Sequence, residues 1–66
     1  MKHTFKELRT ELAPNKLSQA KLSETTGIPK RTIEDYEAGK MDLMKAKFEN
    51  IIKLADAMGL TLDDFR

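Results

Sequence analysis

Apolar residues recur along the chain at spacings of three and four, the period of a helix buried on one side. Phe5, Leu8 and Leu12 start the pattern. Thr4 with Glu7 three residues on matches a capping box, in which side chain and backbone satisfy each other's donors at a helix start. Pro14 stops the pattern, so a first helix is predicted over residues 4–13. Ser18 is a good N-cap, with Leu17 placed to pack back onto the helix. Lys21 stands where a Glu or Gln would complete the box. Ala20, Leu22 and Ser23 offer a narrow face of mostly small residues, and Gly27 ends a second helix over 18–26.

Pro29 suits a helix start, where its missing N–H is no loss. Ile33 and Tyr36 then lie on one side of a third helix, 29–38. Arg31, Glu34, Asp35 and Ala38 lie on the other, and Gly39 is the stop. "KMDLMKAK" reads as a connection with basic ends. Phe48, Ile51, Ile52, Ala55 and Met58 mark the apolar stripe of a fourth helix, 45–58, closed by Gly59. Thr61 and Asp64 resemble a further capping box before Phe65, which suggests a short fifth helix, 62–65. No strand pattern, internal repeat or low-complexity stretch interrupts this order. The expected fold class is all-α, a compact bundle of four to five short helices.

Composition narrows the chemistry. Sixty-six residues make one small domain with a modest core. Cysteine is absent, which excludes disulfides and zinc–thiolate sites. No apolar run approaches the ~18 residues that span a bilayer, and no signal-peptide core follows Met1. The expectation is a cytoplasmic protein with no membrane role. His3 reads as an exposed residue ahead of the first helix, not a metal ligand. Met41, Met44 and Met58 read as packing. Asp63 and Asp64 read as helix-start anions favourable to the helix dipole. No nucleophile–base pair, phosphate-cradling glycine loop or carboxylate dyad is visible, so neither an enzyme nor a cofactor or metal is expected.

The net charge of +1 says little, but its distribution says more. Residues 14–32 carry Lys16, Lys21, Lys30 and Arg31 against Glu24. Residues 33–39 carry only acids: Glu34, Asp35 and Glu37. Residues 40–53 carry Lys40, Lys45, Lys47 and Lys53 against Asp42 and Glu49. Basic and acidic blocks alternate.

Two short helices joined by a tight glycine-containing turn form the helix-turn-helix pattern. Leu22, Ile28, Ile33 and Tyr36 are its expected seam. Ser23 is small enough for close approach, and Gly27 permits the turn. "LSQAKLSETTGIPKRTIEDYEAGK" and "IIKLADAMGLTLDDF" resemble the phage-repressor-like helix-turn-helix family of Cro and XRE type, from about Phe5 to Phe65. Three positions depart from the commonest pattern. Ser23 replaces the usual Ala and adds a hydroxyl that needs a partner. Pro29 replaces a Ser or Thr cap. Tyr36 stands where an aliphatic residue or Trp is common.

The resemblance implies a lambda-repressor-like fold, with residues 1–66 as a single DNA-binding domain. It implies a sequence-specific transcriptional regulator, a repressor, whose third helix enters the major groove of double-stranded DNA. Lys30, Arg31 and Asp35 then occupy base-reading positions, with Arg31 suited to chelate guanine. Ser18, Gln19, Thr32, Lys40, Lys45 and Lys47 fall where the family contacts the DNA backbone. Asp35 has three open readings: a hydrogen bond from cytosine, repulsion of phosphates, or a solvated ion pair with Arg31. Operators are read by dimers, so a weak homodimer through the C-terminal helices is expected on a palindromic site. The alternative is a protein-interaction module on the same fold, such as an antitoxin or docking domain.

Overall fold

The computed structural model describes residues 3–65. The first element, α1 (Phe5–Glu7), runs without a break into a π-helical stretch, Leu8–Leu12. Then come α2 (Gln19–Thr26), α3 (Lys30–Ala38) and α4 (Phe48–Met58). Short 3₁₀ turns occupy Leu43–Lys45 and Leu62–Phe65. Among the described residues there is no strand, and no helix is long and apolar enough to cross a membrane.

The first helix starts as its capping box requires. Glu7 Oε1 accepts from the Thr4 N–H at 3.0 Å, and Thr4 Oγ1 accepts from the Glu7 N–H at 3.1 Å. The Thr4 backbone bond, then its hydroxyl and the nearby His3, hold the Glu7 carboxyl below its ordinary pKa. His3 itself is half-buried rather than exposed. The π-helical turn is not visible in the periodicity. The Thr10 hydroxyl donates to the Lys6 carbonyl at 2.7 Å, competing with the backbone ladder. The Ala13 N–H then reaches five residues back to Leu8, at 2.9 Å. The Lys16 ammonium caps the end by donating to the Glu11 and Ala13 carbonyls, both at 3.1 Å.

The core contains Phe5, Leu8, Leu22, Ile28, Ile33, Tyr36, Leu54, Met58 and Phe65, all buried. The predicted seam of α2 against α3 is therefore formed by the residues expected. The Phe5 and Tyr36 rings, 5.8 Å apart and tilted by 42°, join the first helix to α3. Asn15 lies on the C-terminal end of α4. Its N–H donates to the Met58 carbonyl and its side-chain amide to the Ala57 carbonyl, each at 3.3 Å.

The fourth helix departs from expectation at both its start and its face. It begins at Phe48, because Lys47 is extended (ψ 136) and Leu43 is buried within a separate 3₁₀ turn. Lys45 and Lys47 therefore lie on the connection, outside the helix. The buried face is Leu54, Ala55 and Met58, with Ile51 partly buried. Phe48 is 66% exposed and Ile52 37% exposed. The predicted stripe is thus turned away from the buried face: it omits Leu54, which is fully buried, and includes Phe48 and Ile52 on the exposed edge. Met58 is packing, as expected; Met41 is 42% exposed, because it sits on the connection and not on a core-facing helix. The side chain of Met44 lies outside the described residues. At the last turn, Asp64 Oδ2 accepts from the Thr61 N–H at 2.9 Å, which makes Asp64 the capping anion.

Candidate functional site

The start of α3 is where the sequence concentrates its candidates. α2 begins at Ser18, whose Oγ accepts from the Lys21 N–H at 3.1 Å. It ends at Gly27, whose φ of 79° is the left-handed conformation that glycine adopts without steric cost. Ile28 then anchors the turn in the core, and Pro29 leads into α3. α3 has no side-chain cap at its start.

With Ile33 and Tyr36 buried, helical phase turns Arg31, Glu34, Asp35 and Ala38 outward. Lys30, Arg31 and Glu34 are exposed, while Thr32 and Asp35 are half-buried. Arg31 and Asp35 form no ion pair. The ion pairs among the described residues are Arg9 with Glu37 and Lys21 with Glu24. The helix therefore presents both signs of charge outward, unpaired with each other. Lys40, Lys45 and Lys47 are exposed beyond its C-terminal end.

Two of the residues expected at the DNA backbone are also tied into the protein. Ser18 caps its own helix. Gln19 Nε2 donates to Glu37 Oε2 at 2.7 Å. Glu37 in turn accepts from the Arg9 guanidinium, which also donates to the Leu17 carbonyl at 3.0 Å. Their side chains are only 14% and 12% exposed, so the pair is largely shielded from water. This network joins the π-helical turn, the start of α2 and the end of α3. Sequence reading missed it, because Glu37 stood only as a member of an acidic block. The matching Arg9 is 28 residues away, beyond any helical spacing.

The network changes the charge pattern. Glu37 is paired, so the outward acids of α3 are Glu34 and Asp35. In the first basic block Lys16 caps the π-helical turn, and Lys21 lies 3.7 Å from Glu24. Lys30 and Arg31, its remaining cations, are exposed and form no ion pair among the described residues. Among the described residues no group of His, Asp or Glu is placed to hold a metal ion.

The arrangement suits surface recognition of a charged partner. A rigid helix presents side chains from its first turn, and its base is fixed by a core seam and a shielded ion pair. A family model described as helix-turn-helix matches residues 5–65. No curated protein and no solved structure matches the chain.

Proposed function

The chain belongs to the phage-repressor-like helix-turn-helix family of Cro and XRE type, and on that premise we propose that it is a repressor reading a specific duplex site with α3. The family is one of DNA-binding regulators, not of enzymes. One observation carries the finer reading. Lys30 and Arg31 stand exposed in the first turn of α3, while Ile33 and Tyr36 of the same helix are buried.

In this reading residues 1–66 act as one domain. Lys30, Arg31 and Asp35 face base edges, and Arg31 takes a guanine through its two-pronged donor geometry. Ser18, Gln19, Thr32, Lys40, Lys45 and Lys47 meet the sugar–phosphate backbone. The N-terminal amides of α2 favour a phosphate. Gln19 serves as a bridge, holding Glu37 with its amide nitrogen while its helix start meets the backbone. Asp35 acts chiefly by repelling phosphates from wrongly docked DNA, which lowers non-specific binding.

Two copies pair on a palindromic site. Phe48 and Ile52 are one turn apart on α4, and Ile52 lines a shallow cleft with Leu60 and Leu62, itself 44% exposed. These few side chains offer far less than the ~1,200 Å² of a stable interface. The copies therefore associate on DNA, where tethering raises their effective concentration. Sedimentation is expected to give a monomer without DNA.

Selection of bound duplexes from a random pool tests the function. The expected result is an enriched, two-fold symmetric site. A pool with no enrichment at low salt removes the DNA-reading role. A second reading, a protein-interaction module, draws on Glu34 and Asp35, which share the outward face with Arg31. Phosphate-led binding falls steeply with salt, and a largely apolar protein contact does not.

A further inference from the structure

We propose that the Ser23 and Thr26 hydroxyls are positioning groups for base reading: together they clamp both peptide groups of Ile28 and so fix the direction in which α3 leaves the turn. The inference rests on the DNA-reading role of α3.

Three residues separate α2 from α3. Gly27 is the most permissive of them, free of the Cβ that restricts other residues. A Cβ placed there would meet nothing within 4 Å, so packing does not hold this residue. Pro29 has its φ fixed by its ring but contributes no N–H. Gly27 is held by its N–H, which donates to the Ser23 carbonyl at 2.8 Å, and the seam and the Arg9–Glu37 pair hold the body of α3, so Ile28 is where the turn sets the first residues of the helix.

Ile28 is held from α2 on both sides of its backbone. Its N–H donates to Thr26 Oγ1 at 3.1 Å. Its carbonyl accepts from Ser23 Oγ at 2.6 Å. The Thr26 hydroxyl donates in turn to the Leu22 carbonyl at 2.7 Å, which aims its lone pair at Ile28. Leu22 is fully buried and Ile28 nearly so, which makes the base of the clamp rigid.

The first helix and α2 start with side-chain caps, from Thr4 and Ser18, and α3 does not. Its first backbone bonds run from Thr32 and Ile33 to the Pro29 carbonyl, at 2.9 and 3.2 Å. Lys30 is two residues from Ile28, so a rotation of the Ile28 peptides passes directly to Lys30 and Arg31. Recognition groups need their geometry held to within about 0.5 Å and 10–20°. The hydroxyl pair supplies on the α2 side the restraint that a cap would supply on the α3 side. It also explains the Ser at position 23, whose added hydroxyl has its partner in Ile28.

The test compares Ser23→Ala, Thr26→Val and Thr26→Ser with the parent, at a temperature where circular dichroism shows each to be folded. Affinity is measured for the selected duplex and for a scrambled duplex at the same salt. The expected result is a fall of about fivefold or more in the ratio of the two affinities for Ser23→Ala and Thr26→Val, the scale of one weakened base contact. Thr26→Ser, which keeps the hydroxyl, retains the ratio. If Thr26→Val does not fold, Ser23→Ala carries the readout, since alanine fits the same small-residue contact. A lowered melting temperature with an unchanged ratio in the folded variants overturns the proposal, because it marks the hydroxyls as structural only. A parent that does not discriminate between duplexes overturns the reading of α3 and the clamp with it. A discriminating parent with equally discriminating variants overturns the clamp alone.

Discussion

The Arg9 guanidinium donates to the Glu37 carboxylate across 28 residues of chain, tying the π-helical turn to the last turn of α3. Removing one partner leaves a shielded charge unpaired. Glu37→Ala or Arg9→Ala is expected to cost about 3 kcal/mol, the lower end for buried pairs, since each side chain keeps a small exposed fraction. A domain of this size holds only ~3–5 kcal/mol in total. Replacing both residues by apolar ones is expected to cost less than either single change. Urea midpoints for the two single variants and the double variant check this; single variants at the parent's midpoint would refute it.

Arg31→Ala is expected to weaken specific binding by ~1–3 kcal/mol and to relax preference at one base position. The residue is exposed and opposite the buried Ile33. Repeating the duplex selection with the variant reads the outcome directly. An unchanged preference at every position excludes base reading by Arg31.

Asp35→Ala is expected to raise affinity for a scrambled duplex about two- to fivefold, the scale of one screened surface charge. Asp35 makes no ion pair with Arg31, so the variant frees no partner. Paired titrations at one salt concentration separate the accounts. Unchanged scrambled-duplex affinity defeats repulsion, and a loss confined to the selected site points to cytosine.

Lys45→Ala and Lys47→Ala are each expected to weaken binding about equally on all duplexes and to reduce the salt slope by about one. Both side chains are exposed on the connection between α3 and α4. The slope of log K against log salt is the measurement. A slope equal to the parent's places these lysines outside the interface.

Glu7 gives a pH dependence with a definite sign. Hydrogen bonds from Thr4 lower its folded pKa below the ordinary 4.5. Its contribution is therefore present above pH 4.5 and is lost as pH falls through the folded value. Glu7→Gln still suits a capping box, so its stability near neutrality is expected to stay close to the parent's. Its melting temperature is expected to fall less steeply on acidification below pH 4.5. Parallel acid melting curves for parent and variant would exclude the capping carboxylate as a source of acid sensitivity.

What was legible in the sequence follows from what has a short period. Leu22, Ile28, Ile33 and Tyr36 declare the two-helix seam because helical spacing and Gly27 leave them one common face. The outward direction of Arg31 follows from the same phase. The face of α4 differs at Phe48 and Ile52, because Leu54 on one side and Phe48 and Ile52 on the other are all apolar, and periodicity alone does not say which edge of so wide an apolar arc the core covers. The π-helical turn is closed by a bond from the Ala13 N–H to the Leu8 carbonyl, five residues back, and a pattern of threes and fours carries no trace of it. The Arg9, Gln19 and Glu37 network joins polar residues from three elements, and only the fold brings them together.

Asn15 on the end of α4 has a consequence for how the molecule folds. Its amide reaches the Ala57 carbonyl across 42 residues. Asn15 thus finds its hydrogen-bond partners only once the last turn of α4 exists. Contacts of such sequence separation carry the loop-closure cost that slows folding. They also join the loop after the first helix and the end of α4 into one cooperative unit. A fragment ending before Met58 retains the α2–α3 seam in sequence but lacks the surface on which residues 14 and 15 settle. Hydrogen exchange is then expected to show the loop and the end of α4 opening together, not as separate fraying ends.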